Sequence, residues 1–266
     1  QAIRFLNELK IPCSTTNINM AIHILSNGET PIKKFFNIRE NEVETTENPD
    51  FPIKESIDLT DNLIDKSSMV EIYDEIAGQA NADLEDIMNS EAINAKILDQ
   101  GIRTANVMNF LKTLAGKEFY RIPLETDNGI TNVNLTIVRG ESASGKVSVT
   151  IWSELLGNAK AEISIKEDKL SGYISCNDRN GLAHIKNNSV ILKDIAEDEG
   201  LVNHKIDYIM HNKGNLNNHY QGIDNDNNDE VSSDTEKTLY RIAKAIIRTI
   251  MAAENSIERE GILNEN

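Results

Sequence analysis

Gly140-Glu-Ser-Ala-Ser-Gly145-Lys146 has the glycine-to-lysine separation of a phosphate-cradling loop, in which backbone N–H groups and a lysine hold the phosphates. Val147 stands where a Ser or Thr hydroxyl must reach magnesium, and an alternating strand pattern follows where a helix should start. A flexible hairpin loop is therefore expected. Asp224-x-Asp226-x-Asn228 opens like a calcium loop, but Asp229 replaces the required Gly and Thr235 the bidentate Glu. That segment reads as a solvated acidic linker. The histidines His23, His184, His204, His211 and His219 show no His-x-x-x-His ligand spacing. Cys176 ends a strand without a basic neighbour to lower its pKa, and no Ser, Cys or Asp stands in a nucleophile context. No catalytic residue, cofactor or metal is expected, and the chain is read as non-enzymatic.

Charge points the same way. The 266 residues carry 27 basic and 43 acidic side chains, a formal net charge of −16. Such a chain does not bind nucleic acid by neutralising phosphates and is repelled by anionic membranes, whereas a basic protein surface attracts it. It has no apolar run of roughly 18 residues, so no membrane insertion is expected. Its two cysteines are too few for a disulfide framework and fit a reducing compartment or one indifferent to cysteine chemistry.

The elements that must position any site fall into an α+β order. Residues 1–118 read as an α-helical region with an acidic, Pro-punctuated linker at 37–58. Ile3, Leu6 and Leu9 mark a first helix that Ile11-Pro12 ends. Ile18, Ala21, Ile22 and Leu25 mark a second, for which Thr15, Thr16 and Asn17 offer N-caps. Further helical segments follow over Leu63–Ile76, Leu84–Met88 and Ile93–Leu98, with Gly101 and Gly116 as stop signals. Asn17 to Gly28 is weakly echoed by Asn106 to Gly116, either as two capped helical hairpins or as ordinary helix-start grammar recurring by chance.

Residues 119–212 read as the α+β core, a mixed sheet of five or six strands. Phe119–Glu125 is an edge strand, because Pro123 cannot donate to a ladder. Val133–Arg139 is the next. Val147, Val149 and Ile151 alternate with Ser148, Thr150 and Trp152, and Ala159, Ala161, Ile163 and Ile165 alternate after the Gly157-Asn158 turn. Leu170–Cys176 returns as a strand. Leu182, Ile185, Leu192, Ile195 and Ala196 fit one covering helix, which Asn187-Asn188-Ser189 either interrupts or recaps at Val190, and Gly200 closes it. Val202–Met210 is the last strand. A polar linker spans 213–233. The amphipathic C-terminal helix spans 234–266, with Ser233-x-x-Glu236 as capping box and Leu239, Ile242, Ala243, Ile246, Ile247, Ile250 and Met251 as its stripe. Such a stripe docks on another element, in its own chain or a partner. By parity Trp152 faces away from Val149 and Ile151, toward a second core beneath the helical region or a partner, the first being the expected arrangement.

The run Ser153-Glu154-Leu155-Leu156-Gly157, then Ala159-Lys160-Ala161-Glu162-Ile163-Ser164-Ile165, the Lys169–Ser175 strand, and Leu192, Ile195, Gly200 and Leu201 resembles the C-terminal domain of bacterial flagellar hook-length control proteins. Trp152-Ser153-Glu154 stands where that family has a Pro before its Leu-Gly turn. The resemblance implies a protein-interaction domain of the flagellar type III export system, cytoplasmic or itself exported through the flagellar apparatus. Its implied partner is the export-gate component, contacted in the switch of secreted substrates. Trp152, Leu155, Leu156 and Gly157 are the candidate partner-binding residues. The alternatives are a ligand-binding or enzymatic domain with a pocket between helical region and sheet, and a structural assembly protein.

Overall fold

The computed structural model of the protein describes residues 1–25, 63–90, 95–126, 129–140, 144–153, 155–211 and 233–264. The expected acidic linker at 37–58 and the calcium-like Asp224–Asn228 lie outside them. The chain divides into two compact units, one of residues 1–59 with 66–117 and one of residues 60–65 with 118–266.

The helical unit comprises α1 (Ala2–Glu8), α2 (Thr15–Leu25), α3 (Lys66–Asn89) and α4 (Ala95–Ala115). Ser14 opens α2, its hydroxyl accepting from the Asn17 N–H at 3.1 Å, so Ser14 is the cap and the expected caps Thr15, Thr16 and Asn17 are the first turn. Where three segments were expected between Leu63 and Leu98, two longer helices run. Met69, Tyr73, Ala77 and Ala80 form the buried stripe of α3, a one-face spacing in which small residues let α4 approach. Gly101 lies inside α4 rather than ending it. A Cβ there would stand 3.0 Å from Ile87 Cδ1 and 3.2 Å from Leu84 Cδ1, so the glycine serves helix contact. Asn106 likewise lies inside α4 rather than at its start.

The second unit is built on a six-stranded sheet in the order β1-β2-β3-β4-β5-β6. Its strands are β1 (Phe119–Thr126), β2 (Gly129–Arg139), β3 (Ser144–Ser153), β4 (Gly157–Lys166), β5 (Lys169–Cys176) and β6 (Val202–Met210). The first five pair antiparallel as a meander, and β1 with its Pro123 is an edge. β6 pairs parallel with β5. A parallel neighbour requires a crossover, which is made by α5 (Arg179–Asn187) and α6 (Val190–Asp198), the covering segment breaking at Asn188-Ser189 and restarting at Val190. Asp178 caps α5, its side chain accepting from the Gly181 N–H.

One face of the sheet is apolar. Leu135 and Ile137, Val147 and Val149, Ala161 and Ile163, and Leu170 and Ile174 are all fully buried there. The covering layer is α5, α6 and the long α7 (Ser233–Asn264), which packs on both short helices and on β2, β3 and β4. Its stripe Leu239, Ile242, Ala243, Ile246, Ile247 and Ile250 is enclosed. Each large side chain so buried contributes roughly 1.5–3 kcal/mol before ordering costs. Gly145, the glycine of the phosphate-loop lookalike, is in β3, where a Cβ would stand 2.6 Å from Leu239 Cδ1. It makes room for the helix.

Polar groups fix the register of α7 along the sheet. The Arg139 guanidinium donates to Glu118 Oε1 at 2.9 Å and 3.0 Å and to both Glu236 oxygens at 2.7 Å and 3.1 Å. Glu236, in the first turn of α7, is thus engaged by β2. The Tyr120 and Tyr240 hydroxyls lie 2.5 Å apart, and Tyr240 also donates to Glu118 at 3.2 Å. Burial, with Tyr120 and Glu118 alongside, pushes the Tyr240 phenol well above its usual range, so it stays a donor. Burial works against the Arg139 cation, but the Glu118 hydrogen bond and the two carboxylates overcome it and hold the charge. At the far end Ser153 Oγ donates to Glu254 Oε1 at 2.6 Å. Thr238 and Arg241 both reach Glu199 at the end of α6.

The Glu118 side chain is only 3% exposed, so its carboxylate depends on Arg139 for compensation. Arg139→Met is expected to lower stability by about 3–5 kcal/mol, the cost of an unpaired buried charge, and adding Glu118→Leu to recover part of it. Urea unfolding midpoints of the single and double variants check this.

Candidate functional site

The opposite face of the same sheet is polar. Cross-strand registry brings Asn134 beside Thr150, Thr150 beside Lys160, and Lys160 beside Ser175. In the next row Thr136, Ser148, Glu162 and Tyr173 follow one another, and Asp207 on β6 adjoins Tyr173. Strand alternation places all of these on one side, so each polar residue is the unavoidable counterpart of an apolar one below it.

Glu162 is the hub. Lys160 Nζ donates to its Oε1 at 2.7 Å and Lys146 Nζ to its Oε2 at 2.9 Å. Burial raises the Glu162 pKa, but the hydrogen bonds from Lys160 and Lys146 outweigh it and hold the carboxyl below its ordinary range. Tyr173 donates to the same carboxylate. Burial, the Glu162 charge and that bond push its phenol up to about 12. Lys146, the lysine of the phosphate-loop lookalike, is therefore half of an ion-pair ladder in the middle of a strand.

Beyond the Lys160–Ser175 pair, one step further along the same face, lie Asn158 and His211. Ser175 donates to the Lys160 carbonyl at 3.3 Å, and the His211 N–H to the Cys176 carbonyl at 3.1 Å. Both His211 ring nitrogens and Asn158 Oδ1 are inaccessible to water and have no hydrogen-bond partner among the described residues. Burial, then the neighbouring Lys160 charge, lowers the His211 pKa and keeps the ring neutral. The row offers an ammonium, a neutral imidazole and an amide oxygen, a set suited to hydrogen-bonded recognition. Among the described residues no group of His, Cys, Asp and Glu is placed to hold a metal ion.

The four candidate partner-binding residues separate. Trp152 is 57% exposed at the end of β3 on the polar face. The Thr131 hydroxyl holds its carbonyl in place. Leu155 is half-buried, while Leu156 is fully buried, its N–H bonded with that of Leu155 to Ser153 Oγ at 3.2 Å. Leu156 is a core residue whose carbonyl accepts from Cys176 Sγ at 3.0 Å. Gly157 has φ +74°, and a Cβ there would stand 2.2 Å from Asn177 Oδ1, the atom that accepts the Asn158 N–H at 2.7 Å. Trp152 is thus the exposed member, and Leu156 and Gly157 build the turn that presents it. His204, read as a satisfied half-buried histidine, has its Nε2 2.5 Å from the Leu201 carbonyl.

Sequence reading missed the Lys146–Glu162–Lys160 ladder, His211 and the Glu118–Arg139 clamp. The strand parity that set Trp152 apart from Val149 and Ile151 also sets Lys146, Lys160 and Glu162 apart from their neighbours, and was the available signal. No family model, curated protein or solved structure matches the chain.

Gly157→Ala forces a Cβ into a left-handed turn and displaces Asn177, so a loss of about 1–3 kcal/mol is expected, whereas Trp152→Ala should change stability by less than about 0.5 kcal/mol. Urea unfolding of the two variants checks the contrast. Because the Glu162 pKa is depressed on folding, its stabilisation is present above the unfolded value of about 4.3 and is lost as pH falls through the folded value. Glu162→Gln should therefore be less stable than wild type at neutral pH, with the gap closing in acid, as unfolding midpoints at pH values either side of ~4 would show.

Proposed function

We propose that the sheet unit is a non-enzymatic protein-interaction module whose contact surface is the polar face around Trp152. Following the resemblance to flagellar hook-length control proteins, we take its partner to be the cytoplasmic domain of the flagellar export gate, engaged in the switch of secreted substrates. The observation that carries the reading is the exposure of Trp152 on a braced strand end. Large aromatic side chains held on rigid elements and rimmed by polar groups are the usual energetic centres of protein interfaces. The Lys146–Glu162–Lys160 ladder supplies directional rim contacts, while the formal charge of −16 favours approach to a basic surface. Among the described residues no helix is long and apolar enough to cross a membrane, consistent with action at a soluble partner domain in the cytoplasm.

A ligand-binding reading has one observation in its favour, the unpaired His211 and Asn158 atoms beside Lys160. The two readings part on mutation. Captured export-gate domain should bind the wild-type chain, and Trp152→Ala should weaken binding at least tenfold, about 1.4 kcal/mol or more. His211→Ala should leave it within about threefold, since rim positions carry little of the binding energy. No binding of the wild-type chain on the order of tens of micromolar sinks the proposed partner; binding indifferent to Trp152→Ala sinks the proposed surface.

A further inference from the structure

The outer edge of β6 is where the sheet ends. β6 is a terminal strand of the sheet, and among the described residues nothing pairs with its far side. A bare edge of this length is a template for another strand. Val202, Ile209 and Met210 are 48%, 46% and 48% exposed along it, where soluble proteins more often place charges or proline. β1, the opposite edge, carries Pro123.

Backbone geometry says which groups face outward. Met210 is the registry partner of Cys176, and the His211 N–H bonds to the Cys176 carbonyl. In a parallel ladder this directs the N–H and C=O of Lys205, Asp207 and Ile209 toward β5. His204, Ile206, Tyr208 and Met210 direct theirs away from the sheet.

An incoming antiparallel strand must align outward-facing residues with outward-facing residues. When that strand is a second β6 related by a two-fold axis, a short series of registers qualifies, each defined by the residue on the axis. Lys205 on the axis sets like charges opposite each other, and so does Asp207. Ile206 on the axis sets Lys205 of each copy opposite Asp207 of the partner subunit on the face shared with Tyr173, so two opposite-charge cross-strand pairs form at once. Ile206 then bonds to its own symmetry mate, and His204 exchanges both backbone hydrogen bonds with Tyr208 of the partner subunit. Ile206 is also the midpoint of Val202–Met210, and because the strand is irregular before Lys205, the regular pairing of this register is centred on His204–Tyr208.

We propose that the chain forms a two-fold symmetric dimer by antiparallel pairing of β6 with β6 about Ile206, joining the two sheets into one. Self-complementarity of the patch is what a closed two-fold interface demands. This claim is independent of the partner suggested for the Trp152 surface. A single strand pair is a small interface, so association in the micromolar range is expected.

Sedimentation equilibrium of the full chain near physiological salt, where charge repulsion is screened beyond about 8 Å, tests it. The wild type should be dimeric on the order of tens of micromolar. Lys205→Asp and Asp207→Lys should each weaken the dimer at least tenfold, although they shift net charge in opposite directions. The double variant, which restores opposite charges across the axis, should return to within about threefold of wild type. Ile206→Pro removes an outward N–H that the protomer's own ladder does not use, and should leave a folded monomer by circular dichroism. A monomeric wild type, a dimer indifferent to the single reversals, or a double variant no tighter than the singles would each overturn the proposal.

Discussion

The second unit depends on the burial of α7 against the inner face of the sheet. Ile242, Ile246 and Ile250 recur on one helix face and lie fully enclosed, and without them the valines and isoleucines of β2, β3 and β4 would face water. This contact is also long-range in sequence, since α7 follows the last strand across a polar stretch. Apolar burial is non-directional and would tolerate sliding of the helix. The polar contacts remove that freedom: Arg139 grips Glu236 at the start of the helix and Ser153 meets Glu254 further along. Dispersion and water exclusion hold the helix down, and charge-assisted hydrogen bonds decide where it stops.

Once that face is sealed, the other face is free to be polar, and alternation makes it so. The strand residues between buried valines and isoleucines are Lys146, Ser148, Thr150, Lys160 and Glu162, and their mutual pairing compensates charge that a half-buried sheet surface would otherwise leave exposed to a low-dielectric neighbourhood. Trp152 closes the row of β3 on this face. The Ser153 hydroxyl, Leu156 and Gly157 support the turn behind it, so stability and recognition are divided between adjacent residues. Leu156 faces the core while Trp152 does not.

Much of the second unit was legible in the chain itself. The strands from Phe119 to Met210, the Asn187–Ser189 break, the stop before Gly200 and the stripe of the last helix all follow from local periodicity and turn chemistry. The helical unit was less so. Gly101 reads as a helix end because glycine disfavours helices locally, yet tertiary contact with Leu84 and Ile87 keeps it inside α4. Asn106 reads as a cap for the same local reason and sits mid-helix. The candidate site was half legible: Trp152 stood out by parity, whereas Lys160 and His211 lie fifty-one residues apart and meet only when the crossover returns β6 beside β5.

Sequence by itself determined the α+β order, the two faces of the sheet and the apolar stripe of the C-terminal helix, because these follow from backbone periods that each segment carries alone. It also disqualified the phosphate-loop and calcium-loop lookalikes, whose required side chains are absent. Tertiary structure alone decided which charges meet, that Glu236 pairs with Arg139, that Gly145 yields space to Leu239, and that β6 is the last strand of the sheet. Those outcomes depend on cross-strand registry and helix placement, which arise from packing between segments distant in the chain.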